Sequence, residues 1–383
     1  MTHPSAIRLL IVLLSALLCA CDGVGADVEI LTYDQATDSY TFQIVTVETL
    51  TDIDRLEGRA TALIGGTSMR LDYTEGMVKW DRVGRPVSFG AMKSDGVYYP
   101  EDFASLAMIS TYYNIERAMR FFAILGLPEG DLGRLDTYYL ADVVEIYADP
   151  FTGQVDEIRG RDNAFYLAVD ERTRGFYILP LETIEHLPLA MNIGVIVHEY
   201  AHAVFQHLVY DRMADGGAGL NSTAYNYIYS LNEGVADIMA VMHTGDPDFM
   251  THSLDDSWAA RDASALILYR PSYDTNAMTY VDLSFDPYEI GAFISAAVYE
   301  ATRRMDGLSP LEAGIPGETL RTDVAASVLD ALRATGGEDL SDFTPALFFD
   351  RLISRLDPDR AAHLCSVLRA RYAIHYGDLA GCL

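Results

Sequence analysis

The chain has 383 residues, which is enough for one large domain or two lobes, and 50% of them are hydrophobic, so a sizeable core is expected. Its 56 acidic residues outnumber 27 basic ones and give a formal net charge of −29. Because such a surface repels nucleic acid and anionic lipid, nucleic-acid binding is excluded from the expected functions.

The first 20 residues are predicted to be an export signal. Arg8 precedes an apolar run over 9–18, and this run is too short to span a membrane as a mature helix. The run leads into the segment L-C-A-C, which ends at Cys21 and resembles the bacterial lipobox. The resemblance implies that Cys21 carries lipid and anchors an exported chain, in the periplasm or at the cell surface. An ordinary secretory signal that is cleaved nearby is the alternative.

The cysteine count then predicts one disulfide. Cys19 leaves with the signal and Cys21 carries lipid, so Cys365 and Cys382 remain as an even pair in an exported chain. A disulfide between them would stabilise the fold by roughly 3 kcal/mol and hold the C-terminus in place. Two free thiols are the alternative.

Strand patterns dominate the region before residue 100. Alternation over 39–47 predicts one strand, and the segments 62–73 and 76–87 predict further strands joined by glycine turns. Apolar and aromatic residues at helical spacing over 103–127 then predict a long helix, whose aromatic stripe is expected in the core. The next strands are predicted over 138–148, 162–169 and 176–179.

The segment 193–206 reads I-G-V-I-V-H-E-Y-A-H-A-V-F-Q and predicts a buried helix. His198 and His202 are four residues apart, so they share one helix face and can bind one metal ion. Glu199 projects beside them, where its carboxylate can take a proton from a zinc-bound water. This is the H-E-x-x-H zinc motif. Two ordinary histidines, one of them bonded to Glu199, are the alternative.

A catalytic zinc site needs a third protein ligand and one open position. The longer motif H-E-x-x-H-x-x-G-x-x-H fails here, because Phe205 and Leu208 occupy the places of its glycine and its third histidine. The segment 230–237, S-L-N-E-G-V-A-D, supplies a glutamate on a following helix. Glu233 is therefore the predicted third ligand. Asp237, one turn further along the same face, can accept the outer N–H of a ligating histidine.

The motifs H-E-Y-A-H and N-E-G-V-A-D together resemble the gluzincins and, within them, the thermolysin-like proteases, whose second motif is N-E-x-x-x-D. The resemblance covers roughly residues 100–300 and implies a two-lobed α+β fold with the cleft between the lobes. After a β-rich region over 21–100, we expect a catalytic lobe with the active-site helix over 101–212. A helical lobe with the third zinc ligand follows over 213–383, completed by helices predicted over 319–334, 340–356 and 358–372.

The resemblance also implies substrate-binding residues. The tetrapeptide N-A-F-Y resembles the N-A-F-W edge strand of thermolysin-like proteases, whose Asn and Ala bind the substrate backbone, so Asn163 and Ala164 take this role. Arg261 falls where the family carries an arginine that holds a substrate carbonyl, a task that suits a guanidinium. An ordinary strand and a surface salt bridge with Asp262 are the respective alternatives.

Tyrosines are implied as oxyanion donors. The family uses a tyrosine between its two zinc motifs, and Tyr225 or Tyr227, from three tyrosines that alternate along the chain, can serve. The glycine-rich segment 213–222, expected to be a flexible loop, makes this interval longer than in the family. The family's histidine at the start of a following helix is replaced by Tyr288, whose phenol can also donate a hydrogen bond to an oxyanion.

The expected function is that of a Zn²⁺-dependent endopeptidase that hydrolyses peptides or proteins outside the cytoplasm. We expect a monomer that meets the membrane only through its lipid. A gluzincin aminopeptidase is the second interpretation, but it needs an acidic residue that binds the free amine, and the sequence does not show one at the expected place. The third is a non-catalytic zinc-binding lipoprotein, which the intact Glu199 disfavours because Glu199 is not a ligand.

Overall fold

The computed structural model describes residues 25–34, 36–37, 39–148, 154–168, 173–181, 186–213, 220–254, 261–279, 285–309, 312 and 314–382. The predicted signal peptide, the predicted lipidation site Cys21 and residues 214–219 of the predicted loop lie outside the described residues. Within the described ranges, no helix has the length and apolar character that a membrane crossing requires.

The N-terminal part of the chain is rich in strands. In chain order these are β1 Ala26–Asp34, β2 Ser39–Val47, β3 Leu50–Asp52, β4 Glu57–Gly58, β5 Leu63–Gly65, β6 Ser68–Asp72, β7 Met77–Arg82, β8 Arg85–Pro86, β9 Ala91–Ser94, β10 Val97–Pro100, β11 Asp136–Tyr139, β12 Asp142–Ala148, β13 Val155–Arg159, β14 Ala164–Leu167 and β15 Gly175–Ile178. They form sheets with the orders β2-β1-β10-β9, β14-β15-β11-β5-β8, β13-β12-β6-β7 and β3-β4. Strand β14 is thus an edge strand.

Helices dominate the second half. The α-helices are α1 Phe103–Ile124, α2 Ile193–Leu208, α3 Ser222–Thr244, α4 Pro271–Thr279, α5 Tyr288–Met305, α6 Glu318–Thr335, α7 Pro345–Ile353 and α8 Pro358–Arg371. Their apolar faces and that of the β1 sheet share one large core. The predicted α+β class, with a sheet-rich N-terminal part and a helical C-terminal part, is confirmed.

Two glycines allow α3 and α5 to pack closely where α3 carries Glu233. A Cβ atom added to Gly234 would lie 2.8 Å from the carbonyl oxygen of Gly291. One added to Gly291 would lie 3.0 Å from the Cβ atom of Glu233 and 3.1 Å from the nitrogen of Gly234. Any side chain at either position would therefore push the two helices apart and move Glu233 with them.

Several predicted elements have different bounds in the structure. The strands predicted over 62–73 and 76–87 are each two strands, β5 with β6 and β7 with β8, in different sheets. The strand predicted over 138–148 is two strands, β11 and β12, because Leu140 has a positive φ of 50° that turns the chain into a different sheet. The helix predicted over 340–356 is confined to α7, which begins at Pro345, a residue suited to a first helical position because it has no N–H to satisfy. Helix α3 begins at Ser222, so the alternating tyrosines lie on a helix.

The predicted disulfide is confirmed. The Sγ atoms of Cys365 and Cys382 are 2.00 Å apart, and the bond ties α8 to the last turn of the chain. The segment between them includes His375, whose Nε2 atom lies 2.8 Å from the carboxylate of Asp274 in α4. The disulfide therefore holds the C-terminus against the helical part of the fold.

Candidate active site

Helix α2 presents both histidines of the H-E-x-x-H motif. It begins where the side chain of Asn192 caps it by accepting hydrogen bonds from the backbone N–H groups of Gly194 and Val195. The amide of Asn192 also donates to the carbonyl oxygen of Phe249, at 2.8 Å, which fixes the start of the helix against the polypeptide that follows α3. The rings of His198 and His202 are 4.6 Å apart between centroids.

The structure brings His198, His202 and Glu233 together. Their ligand atoms lie within 4.8 Å of one another. The Nε2 atoms of the two histidines are 3.0 Å apart. Nε2 of His198 lies 3.6 Å from Oε2 of Glu233, and Nε2 of His202 lies 3.8 Å from Oε1 of the same carboxylate. Zinc bonds of about 2.0–2.1 Å in a tetrahedral site separate neighbouring ligand atoms by about 3.4 Å. The donor set therefore fits zinc, with one face of the tetrahedron supplied by protein.

Oxygen atoms on α3 hold the outer nitrogens of both rings. Nδ1 of His202 is 3.0 Å from the side-chain oxygen of Asn232, and Nδ1 of His198 is 2.9 Å from Oδ1 of Asp237. Because an acceptor draws the ring proton to Nδ1, the Nε2 lone pairs are left to face Glu233. Asp237 lies close enough to His198 for the predicted contact, but Nδ1 of His198 forms no hydrogen bond of accepted geometry among the described residues, so the role of Asp237 stays a prediction. Asn232 was not predicted, although it precedes Glu233 in the second motif.

Arg261 is buried beside the metal ligands. Its Nη2 atom lies 2.7 Å from Oδ1 of Asp237 and 3.4 Å from Oε2 of Glu233. Its guanidinium also stacks on the ring of Tyr288, 4.5 Å from the centroid. Burial raises the pKa of Asp237, but the charges of Arg261 and His198 outweigh it and hold that pKa below its usual range.

The geometry around Arg261 contradicts the surface salt bridge, while its contact with a substrate carbonyl stays a prediction. The residue is 8% exposed, so it does not form a surface salt bridge. Its guanidinium lines the cavity, and two of its nitrogens bond Asp237. A bidentate, stacked arginine in this place fixes the carboxylate that supports His198.

Glu199 lies in the same cavity and is 7% exposed. One of its carboxylate oxygens, Oε2, accepts a hydrogen bond of 2.9 Å from the backbone N–H of Tyr166 in β14. Burial raises the pKa of Glu199 to about 7, while His198 lowers it and Glu233 raises it by smaller amounts. A carboxylate with a pKa near neutrality can both accept and return a proton.

The cavity has a volume of about 500 Å³ and is lined on one side by residues 161–166 and 168. Just before β14, the backbone carbonyl of Asn163 accepts a hydrogen bond from the N–H of Leu179, which follows β15. Because pairing alternates along an antiparallel strand, the backbone groups of Ala164 and Tyr166 are directed to the free edge. Asn163 and Ala164 both line the cavity, as their predicted role requires.

The predicted oxyanion donors separate into two groups. Tyr288 lines the cavity, and the nearby charge of Glu233, followed by burial, raises its pKa well above the usual value. Neither Tyr225 nor Tyr227 is among the lining residues; the hydroxyl of Tyr227 donates instead to Asp274, at 2.7 Å. Tyr229 lines the cavity in their place, and burial together with Glu233 raises its pKa.

Helix geometry explains this exchange of tyrosines. Tyr229 is four residues before Glu233 on α3, so the two share a face, whereas Tyr227 is turned by about half a circle from Tyr229. Tyr225 lies one turn further from Glu233 and is 44% exposed. Tyr229, Glu233 and Asp237 follow one another at intervals of four residues. This spacing identifies Tyr229 as a residue on the face of the metal ligand, provided that the helix begins before the tyrosines.

No family model matches the sequence, and no curated protein matches it. Sixteen chains of solved structure are similar to it. One of them is the precursor of protealysin, a metalloproteinase from Serratia proteamaculans, with 13% identity, a TM-score of 0.44, and coverage of 80% of this chain and 87% of that one. A likeness of this degree assigns neither a family nor an activity.

Proposed function

We propose that this protein is a zinc-dependent peptidase that hydrolyses peptide bonds, with Glu199 as its general base. One cavity carries the proposal, because three features meet in it. They are the donor set of His198, His202 and Glu233, the buried carboxylate of Glu199, which is not one of the three ligands, and the free edge of β14. A site that only stored zinc would need neither that carboxylate nor the strand edge.

The metal would be held by Nε2 of His198, Nε2 of His202 and the carboxylate of Glu233. Bound zinc would supply a Lewis acid for the scissile carbonyl and lower the pKa of the attacking water. The chain's own contribution is orientation. Asn232 and Asp237 hold the outer ring nitrogens, and Arg261 holds Asp237, so the three donors are arranged before any ligand arrives.

Glu199 would take the proton from the attacking water and pass it to the leaving amine. Its pKa of about 7 suits both steps, since a base with a pKa near the working pH is partly ionised and still a useful acid when protonated. The hydrogen bond from the N–H of Tyr166 orients one oxygen, Oε2. The other oxygen is left for proton transfer.

An extended peptide would add to the edge of β14, where Ala164 offers its backbone carbonyl; its N–H already donates to Oδ1 of Asn163, at 2.9 Å. Asn163, the residue before the strand, would contact the peptide with its side chain. Phenols of Tyr229 and Tyr288 line the same cavity and stay protonated, since each has a raised pKa. Each can therefore donate to the oxyanion that forms as the carbonyl is attacked.

Export and anchoring belong to the proposal on the strength of the sequence. The apolar run before Cys21 supports a lipid-anchored peptidase outside the cytoplasm. Replacement of Cys21 by serine should abolish incorporation of radioactive palmitate and release the protein from membranes. We further propose that the protein acts as a monomer, and sedimentation of the released form would measure this.

The decisive experiment compares wild type with Glu199→Gln. Bound zinc is measured by elemental analysis, and cleavage is measured on an unfolded protein with blocked N-termini. We expect about one zinc in both forms, because Glu199 is not a ligand, and a loss of cleavage by at least about 10²-fold in the variant. Full cleavage by Glu199→Gln would remove the proposed base, and absence of zinc from wild type would remove the metal centre.

An aminopeptidase is the second candidate, and one observation favours testing it. Asp162 lines the cavity at the start of β14, and a carboxylate is the group that would hold a free α-amine. Arg161 beside it also lines the cavity and opposes that role. Hydrolysis of free peptides but not of N-terminally blocked ones, with the free-peptide activity lost in Asp162→Asn, would replace the endopeptidase proposal by this one.

A further inference from the structure

A second cavity, of about 290 Å³, shares no lining residue with the first. It lies among the end of β1, helix α1, the start of α2, the end of α3 and the start of α6. Its charged or titratable lining residues, besides Tyr33, are Arg117, Arg120, His243, Glu318 and Arg321, and we call it the arginine cavity. A basic cavity is unexpected in a chain whose net charge is −29.

Arg117 carries a charge that no nearby carboxylate balances. Its Nη1 atom donates to the hydroxyl of Thr32 at 3.1 Å, and its guanidinium lies 5.9 Å from the ring centroid of Tyr113. Within the described part of the chain, no carboxylate oxygen lies within 4 Å of it. Arg120, on the same helix, differs, because its Nη2 atom lies 2.7 and 2.8 Å from carboxylates of Glu48 and Glu116. Burial lowers the pKa of Arg117.

His243 adds a buried polar atom without a partner. Its ring packs on Phe121, with centroids 4.8 Å apart. Its Nε2 atom is buried and, among the described residues, makes no hydrogen bond. A buried polar atom left unsatisfied costs about 1–3 kcal/mol. Burial, and then the charges of Arg117 and Arg321, lower the pKa of His243 well below its usual value, so the ring is neutral and can donate from Nε2 only as one tautomer.

Arg321 forms a fixed, positively charged part of the wall. It is 1% exposed, and its nitrogens donate to the carbonyl oxygens of Pro316, at 3.0 Å, and Met242, at 2.8 Å. The second bond caps the end of α3. The one carboxylate that lines the cavity, that of Glu318, belongs to an exposed residue in the first turn of α6. The arginines that line the cavity therefore outnumber its carboxylates.

We propose that the arginine cavity binds a small oxyanion of the phosphate or sulfate class. Arg117 and the Nε2–H of His243 would donate hydrogen bonds to it, and Arg321 would add a favourable charge. The cavity has room for such an ion together with ordered waters, each of which takes about 30 Å³. Inorganic phosphate and the phosphate group of a small ester share this chemistry.

The site would brace the helices that carry the metal ligands. Ile193, the first residue of α2, and Met242, near the end of α3, both line the arginine cavity. An ion that binds the folded chain and not the unfolded one stabilises the fold by mass action. The anion would therefore hold the start of α2 against the end of α3. This inference does not depend on peptidase activity.

The test uses the full chain in zinc-loaded and chelator-treated forms, and compares wild type with Arg117→Gln and Arg55→Gln. Arg55 is the matched control: its side chain is 63% exposed, it pairs with Asp52 at 3.7 Å, and it does not line the cavity. Equilibrium dialysis measures bound inorganic phosphate, sulfate and glycerol phosphate. Differential scanning calorimetry measures the midpoint of unfolding, Tm.

We expect one saturable phosphate site in wild type and in Arg55→Gln, with or without zinc, and at least tenfold weaker binding in Arg117→Gln. At ten times Kd, phosphate should raise the Tm of wild type by about 2 °C. Phosphate at the metal centre would differ, because chelation would remove it. Tighter binding of glycerol phosphate than of inorganic phosphate would identify an ester as the source.

The proposal is overturned if wild type binds no phosphate saturably, or if Arg117→Gln binds it as tightly as wild type. An equal rise in Tm for all three proteins, without saturable binding, would be a general effect of excluded salt and would also overturn it. If Arg117→Gln does not fold, His243→Phe replaces it. That variant removes the Nε2 donor, keeps a ring against Phe121, and should weaken phosphate binding at least threefold.

Discussion

Arg261 and Asp237 form a buried ion pair with two contacts, Nη2 to Oδ1 at 2.7 Å and Nε to Oδ2 at 3.2 Å. Oδ1 of the same carboxylate lies 2.9 Å from Nδ1 of His198. One carboxylate thus joins a permanent positive charge to a proposed metal ligand. The arginine favours the ionised form of Asp237, and an ionised carboxylate at this distance would favour a proton on Nδ1 of His198.

Replacement of Asp237 by asparagine should weaken zinc binding by about 10- to 100-fold, because it removes the charge that orients His198. Competition with a chelator of known affinity measures the change. Asp262→Asn is the control. It also removes one negative charge, from the residue that follows Arg261 in the sequence, but this carboxylate bonds Ser264. Equal zinc affinity in Asp237→Asn and wild type would contradict the orienting role of Asp237.

Tyr229→Phe and Tyr227→Phe should have different effects. We expect Tyr229→Phe to lower kcat by about tenfold or more with little change in KM, because its hydroxyl would act only on the developing oxyanion. Tyr227→Phe should leave kcat unchanged and lower the free energy of unfolding by about 1 kcal/mol, since it removes the hydrogen bond to Asp274. The reverse pattern would restore the role that the sequence suggested for Tyr227.

Gly291→Ala should destabilise the fold by about 1–3 kcal/mol and weaken zinc binding, because the added methyl group meets the Cβ atom of Glu233 at 3.0 Å. Denaturant unfolding and zinc competition measure the two effects. Gly130→Ala is the control, since a Cβ atom at Gly130 meets nothing within 4 Å. If Gly291→Ala is as stable as Gly130→Ala, the close approach of α3 and α5 is not needed to place Glu233.

His375 should make stability depend on pH. Burial lowers its pKa, but hydrogen bonds to Asp274 and Asp378 outweigh this and raise the pKa above its usual 6.5. The protonated ring therefore stabilises the fold fully below about pH 6.5, and this contribution is lost as pH rises through the raised pKa. The effect is well under 1 kcal/mol, because the side chain is 31% exposed and solvent screens the pairs.

Denaturant unfolding of wild type and His375→Gln between pH 5.5 and 9 measures this contribution. The difference in unfolding free energy between the two proteins should be larger at the acidic end than at the basic end. Cleavage activity is not expected to differ, since His375 does not line the active-site cavity. A difference that grows with rising pH would have the wrong sign and contradict the assignment.

Local patterns predicted much of the fold. The alternation over 39–47 predicted a strand, and the structure has β2 over those residues, but the alternating Phe42 and Ile44 are 63% and 56% exposed. The pattern thus identified the strand and not its buried face. His198 and His202 could be paired because four residues make about one helical turn, a property that needs no tertiary information. Glu233 and Asp237 followed from the same periodicity on a second helix.

What the sequence left unresolved depends on contacts between distant segments. Arg261 is 24 residues from Asp237, and no pattern along the chain tells that its guanidinium is buried rather than exposed. Leu140 divides one predicted strand into two, because a single residue with positive φ changes the sheet to which the chain belongs. The alternation of the tyrosines has a period of two, whereas the helix that carries them has a period of 3.6, and only the helical period places Tyr229 on the face of Glu233.

The backbone N–H of Tyr166 links β14, the strand that would receive a substrate, directly to Glu199, the group that would move the proton. A single peptide unit separates the two functions. A ligand that pairs with the edge of β14 and pulls it by a few tenths of an ångström would shift the carboxylate by a similar amount. Peptides that dock in the wrong register would then be bound without being cut. Selectivity in such a site would be expressed in turnover more than in affinity.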